Sequence, residues 1–161
     1  MGLFNFKKKI DFFAPVAGKL VALDKVSDEV FASGAMGKGF AIEPSNENIY
    51  SPVKGTVSQL FPTKHAVGIN CGKMEILIHI GIDTVDLKGA PFETLVSVGD
   101  EVDNNTRLVK VDFDQIKAAK KDTVTMVLIT NSNDVLKDYE QVAEVGSQVD
   151  NLTKIADVKE K

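Results

Sequence analysis

The 161 residues, 43% hydrophobic and 26% charged, suffice for one domain with a sizeable core, and no shift in composition calls for a second. A net charge of -4 without a long basic run argues against nucleic acid as a partner. The single cysteine, Cys71, excludes an internal disulfide and fits a reducing cytoplasm, and no apolar run approaches membrane-spanning length.

At the start of the chain, Lys7, Lys8 and Lys9 follow the apolar Leu3, Phe4 and Phe6, the reverse of a secretory signal. Two readings stay open. One is weak contact with an anionic membrane surface through the apolar residues, with the lysines beside them. The other is a frayed, solvated terminus. Residues 1–11 are therefore expected to be a flexible segment and residues 12–161 a single domain. The initial methionine and the lack of a linker favour a free protein over a piece of a fused transporter.

An internal echo organises the rest of the chain. Ala14-Pro15-Val16-Ala17-Gly18 through Leu23 resembles Ser51-Pro52-Val53-Lys54-Gly55 through Leu60, with proline, valine, glycine and the last leucine in register. A second pair, Val96 to Val102 and Ala143 to Val149, repeats valine-glycine with another valine three positions on. Two copies do not make a solenoid, so the pattern predicts a duplicated small β motif folded on itself. Runs of β-branched residues predict further strands at Gly39–Ile42, Arg107–Asp112 and Thr123–Thr130. Helix signals are few: Asp114 to Lys120, capped by an acid, and Asn133 to Val142. The fold class expected is mainly β, a compact antiparallel sandwich or barrel with short helical turns.

The most informative run is Glu75 to Asp83. Side chains alternate along a strand, so Ile76, Ile78, Ile80 and Ile82 form an apolar row while Leu77, His79, Gly81 and Asp83 face the other way. Folding the chain about Gly72 as a hairpin brings His65, the other of the two histidines, within about one residue of directly opposite His79. On this pattern alone the two rings are either a chemical site or two unrelated side chains, one packed and one solvated.

Other chemistries fit less well. No glycine-flanked serine elbow appears for a hydrolase. The glycines at 34, 37 and 39 lack the spacing of a nucleotide loop. His79 and Asp83 have metal-ligand residue types, but on one strand they lie about 13 Å apart unless the chain turns at Gly81. What remains is covalent phosphoryl transfer, for which one neutral imidazole is a nucleophile and a second can hydrogen-bond the phosphoryl oxygens without metal or nucleotide.

The run Ile78-His79-Ile80-Gly81-Ile82-Asp83-Thr84-Val85-Asp86-Leu87-Lys88-Gly89 closely resembles the signature of the glucose-class enzyme IIA proteins of the bacterial phosphoenolpyruvate-dependent sugar phosphotransferase system. Ala14 to Gly18, Val30 to Ala32, Ser51 to Thr56 and Thr63 to Ala66 fall in that family's order, so the resemblance spans roughly residues 12 to 150. It implies a cytoplasmic phosphocarrier with no required cofactor. His79 would take a phosphoryl group from the carrier protein HPr on Nε2 and yield it to a cysteine of a sugar-specific IIB domain. His65 would steady the phosphate, Thr63 would orient His65, and Asp83 would be a nearby acid that places partners or tunes the ring.

The resemblance also implies an exposed apolar docking ring at Val30, Phe31, Met36, Phe61, Leu77 and Val85, and a zinc ion shared by His65 and His79 with a regulatory protein partner. Leu77 stands where the family often has an aromatic residue. Two rivals remain. A lipoyl- or biotinyl-type carrier would bear its group on Lys73 at the hairpin tip, and a purely regulatory binding module would turn nothing over.

Overall fold

Prolines, glycines and β-branched residues cut the chain into short strands, and the computed structural model describes residues 9–161. The strands are β1 (Ile10–Phe13), β2 (Gly18–Val21), β3 (Lys38–Pro44), β4 (Asn48–Tyr50), β5 (Gly55–Leu60), β6 (Ala66–Cys71) and β7 (Met74–Ile82). They continue with β8 (Phe92–Thr94), β9 (Glu101–Val102), β10 (Arg107–Val111), β11 (Asp122–Ile129), β12 (Leu136–Gln141), β13 (Gln148–Val149) and β14 (Lys154–Glu160). Short helices α1 (Glu29–Ala32), α2 (Phe113–Ala118) and α3 (Ser132–Val135), with 3-10 turns at Leu23–Lys25 and Thr84–Leu87, fill connections.

The strands pair antiparallel into an eight-stranded sheet, β13-β2-β3-β11-β7-β6-β5-β9, and two three-stranded sheets, β1-β14-β12 and β4-β10-β8. The large sheet keeps two open edges, so the fold is a mainly β sandwich and not a closed barrel. Phe12, Leu20, Phe40, Ile49, Ile78, Leu108 and Val158, drawn from all three sheets, share one buried cluster. Each such side chain contributes about 1.5–3 kcal/mol relative to exposure.

The repeated sequence is a repeated set of contacts. Gly18 pairs with Val149 and Lys19 with Gln148, as Gly55 pairs with Val102 and Thr56 with Glu101. Gly146 N–H donates to the Leu20 carbonyl as Gly99 N–H does to that of Val57. Asn104 and Asn151 each donate a side-chain N–H to the other's backbone carbonyl. An approximate dyad therefore relates the halves. The step that carries Gly99 to Gly146 carries His79 to Met126, the residue paired with it across β7 and β11, so His79 lies on that dyad at the middle of the sheet. The halves differ in the connections that reach this point: residues 22–37, including α1, in the first, and residues 61–65 in the second.

Several expectations need correction. Residues 136–141 are strand β12, not helix, because β14 supplies a hydrogen-bonding partner, with Tyr139 opposite Val158 and packed on the core. The other helix forms one residue early, with the Asp112 carboxylate accepting from the N–H groups of Asp114 and Gln115. Ile10 and Asp11 already pair with Val158 and Asp157, two residues ahead of the expected boundary at 12. Leu3, Phe4 and Phe6 lie outside the described residues. Cys71 is the buried last residue of β6.

Candidate functional site

The β6–β7 hairpin sets the register. Gly72, with φ +57, takes the first central position of the two-residue turn, where an L side chain is disfavoured. Cys71 then faces Met74, and the ladder ends with Ala66 opposite His79. His65 lies one step beyond, and its carbonyl accepts from Ile80 N–H at 2.8 Å. The two imidazole centroids are 5.1 Å apart with planes inclined at 79°.

Each ring is held by its Nδ1. His79 Nδ1 lies 2.8 Å from the Gly81 carbonyl, and because a carbonyl only accepts, Nδ1 carries the proton and Nε2 keeps its lone pair. This is possible because β7 turns at Gly81, where φ is +75 and the pairing with β11 shifts register between Ile80 and Ile82. A Cβ at Gly81 would meet Thr84 Cγ2 and the Asp122 carbonyl. The turn also moves Ile82 off the row of Ile76, Ile78 and Ile80 and into a second buried cluster with Phe31, Val124, Met126 and Leu128. His65 Nδ1 lies 2.6 Å from Thr63 Oγ1, a hydroxyl that can donate or accept and so permits either tautomer.

Burial lowers both imidazole pKa values. His79 is pushed down to about 4, first by burial and then by the neighbouring His65, against the Gly81 hydrogen bond and the charges of Asp28 and Asp83, which all favour its protonated form. His65 is lowered by burial. At neutral pH the pair is therefore two neutral rings, one with a free Nε2 lone pair, which is a nucleophile beside an adjustable hydrogen-bonding partner.

The sequence model of the family described as phosphoenolpyruvate-dependent sugar phosphotransferase system, EIIA 1, matches residues 10–135. The chain belongs to that family. It is 38% identical over 151 residues to a glucose-specific EIIA component of Staphylococcus epidermidis, covering 91% of each chain. It is 49% identical over 124 residues to a glucose-specific EIICBA component of Streptococcus pneumoniae, matching 76% of this chain but only 17% of that protein. A solved structure, glucose permease IIA from Mycoplasma capricolum, superposes with a TM-score of 0.81 at 35% identity, covering 96% of this chain and 98% of the other.

In this EIIA fold the six expected docking residues divide. Val30 and Val85 are exposed, at 51% and 46%. Phe31 is buried, its ring centroid 4.8 Å from that of His79, so it is a wall of the site and not an exposed contact. Met36 and Leu77 are half-buried against the same second cluster. Phe61 is half-buried and meets His65 edge-on at 5.5 Å. Asp83 is exposed, and it acts on His79 through charge.

Asp28 was missed in the sequence although the signal was there. It is an acid immediately before Glu29 and the apolar Val30-Phe31, and it caps α1 by accepting from Val30 N–H at 2.9 Å. Lys73 does not stand free at the hairpin tip: its N–H donates to the Glu160 carboxylate and its ammonium to the Lys161 carbonyl. Among the described residues no three histidine, cysteine or acidic side chains gather as a metal site, and no helix is long and apolar enough to cross a membrane.

The lowered pKa of His79 has a consequence for stability. The unfolded chain binds this proton near pH 6.5 and the folded chain only near 4, so between those values the unfolded state holds more protons. Stability from this group is complete above the upper value and falls as pH drops through the window, by roughly 2–3 kcal/mol at pH 4.5. Urea unfolding at pH 7 and pH 4.5 should show a smaller acid loss for His79→Ala than for the wild-type chain.

Proposed function

We propose that this EIIA chain is the phosphocarrier of a sugar phosphotransferase system, with His79 as the phosphoryl acceptor. The observation that carries this reading is the Gly81 carbonyl fixing His79 Nδ1–H, which leaves Nε2 as the nucleophile. Nε2 attacks the phosphorus of the phosphohistidine on HPr. The donor N–P bond breaks as the new one forms, and the donor ring retains the electron pair. In the second step a cysteine thiolate of a IIB domain attacks the same phosphorus, and the Nε2–P bond breaks. Relatives whose names join A with B and C units support the IIB partner, and this chain spans only about a fifth of the length of those proteins.

Thr63 donating its hydroxyl to His65 Nδ1 leaves Nε2–H of His65 as a donor to phosphoryl oxygens. Asp28 and Asp83 disfavour a dianion but attract a basic partner surface, and Val30 and Val85 supply exposed apolar contact beside them. The work is done in the cytoplasm. If Thr63 instead accepts from His65 Nδ1–H, both Nε2 lone pairs are free, which fits two ligands of a zinc ion whose remaining ligands come from a regulatory partner. Bound there, zinc would occupy both Nε2 positions and so bridge the two proteins while blocking transfer.

Incubation with phosphoenolpyruvate, enzyme I and HPr should place one acid-labile phosphoryl group on the chain and pass it to a IIB domain. An unlabelled chain overturns the reading. Acceptance should stay level from about pH 8 to pH 5, because His79 remains neutral well below the usual imidazole value. His65→Gln should still accept but donate to IIB roughly tenfold to a hundredfold more slowly, and Thr63→Val about tenfold, as expected for loss of one or two oriented hydrogen bonds. Rapid-quench single turnovers in each direction check both.

A further inference from the structure

The device that leaves the Gly81 carbonyl free for His79 is itself held by a side chain. Thr84 is fully buried, a polar residue where the chain re-enters from the exposed Asp83. Its hydroxyl donates to the Ile80 carbonyl at 2.5 Å, and its methyl occupies the space that a Cβ on Gly81 would need. Ile80 N–H is already bound to the His65 carbonyl. Ile80 is thus tied on both sides, its N–H to the segment bearing one histidine and its carbonyl, which belongs to the peptide group preceding Gly81, to Thr84. Across the sheet, β11 shifts register between Asp122 and Thr125, so the ladder with β11 does not hold this stretch of β7 in regular pairing. The preceding Asp83, with φ +61, sits in the left-handed region, a local cost of about 1–2 kcal/mol that surrounding contacts must offset.

We propose that Thr84 is a positioning residue of the histidine pair: its hydroxyl fixes the Ile80–Gly81 peptide so that the Gly81 carbonyl keeps His79 in the Nδ1–H tautomer. Thr84 does not touch the phosphoryl group. It acts on how much of the His79 population presents a lone pair at Nε2. In water a neutral imidazole favours the Nε2–H form, so weakening the Gly81 contact drains the reactive tautomer. The consequence for transfer rests on the phosphocarrier reading, whereas the tautomer is a property of the ring alone.

The test uses the full chain with 15N-labelled imidazoles and long-range 1H–15N correlation at pH 7. Wild type should show His79 protonated on Nδ1 alone. Thr84→Val, which keeps the shape and loses the hydroxyl, should show a mixture containing a substantial Nε2–H fraction, and Thr84→Ser should restore the wild-type spectrum. Phosphoryl uptake from phospho-HPr should fall several-fold in kcat for Thr84→Val with KM little changed, because the docking surface is untouched. A wild-type tautomer in Thr84→Val overturns the proposal. Should Thr84→Val not fold, Thr84→Ala makes the same comparison, and collapse of both overturns it as well, since the hydroxyl would then serve the fold in general. If His79 proves not to be the acceptor, the tautomer shift in Thr84→Val is still expected, which separates the two failures.

Discussion

Replacing His79 with alanine is expected to bring phosphoryl uptake to background, a loss of at least about 10³-fold, while the chain stays folded. The size follows from the chemistry: the chain has one other histidine, and His65 sits with its Nδ1 against Thr63, buried at 7% exposure and without a carbonyl to fix its tautomer. Folding should be spared because His79 is neutral and only half-buried, on the side of β7 away from the main core. Its removal should change stability by no more than about 1–2 kcal/mol at pH 7. Phosphorylation assays beside circular dichroism and urea titration check both halves of this expectation.

The second large effect is expected at Gly81. An alanine there would carry its Cβ into Thr84 and the Asp122 carbonyl at a φ that L residues rarely adopt, so the turn must open. We expect a loss of about 3 kcal/mol, or roughly 10 °C in Tm for a chain of this size. Uptake should fall further than stability explains, because the opened turn takes with it the carbonyl that orients His79. Thermal denaturation read together with phosphorylation at a temperature where both chains are folded separates the two effects. Equal uptake by folded Gly81→Ala would show that the ring is oriented by something else.

What the sequence disclosed, it disclosed through local rules. The isoleucine alternation placed His79 away from the core, and Gly72 set a hairpin register that put His65 one step from opposite it. The two pairs of glycine-valine echoes became matching edge contacts at opposite ends of the large sheet. The hidden parts depend on distant partners. Leu136 to Gln141 reads as helix because nothing local announces β14, which pairs with it only after a long connection. The family resemblance puts Phe31 in an exposed docking ring, and nothing local shows that α1 folds over the sheet and turns the phenyl ring toward His79. Gly81 reads either as one more position in an alternating strand or as the point where the chain turns, and nothing local decides between the two. Its positive φ arises from the register shift with β11, and that shift is invisible without the partner strand.

To serve as the proposed phosphoryl acceptor, His79 must offer a free Nε2 at the point where the two rings meet. Combined 31P and 15N NMR of the chain labelled through phospho-HPr identifies the phosphorylated nitrogen. A single phosphoryl group on Nε2 of residue 79 is the predicted result. Phosphorylation at Nδ1, or on His65, would contradict it.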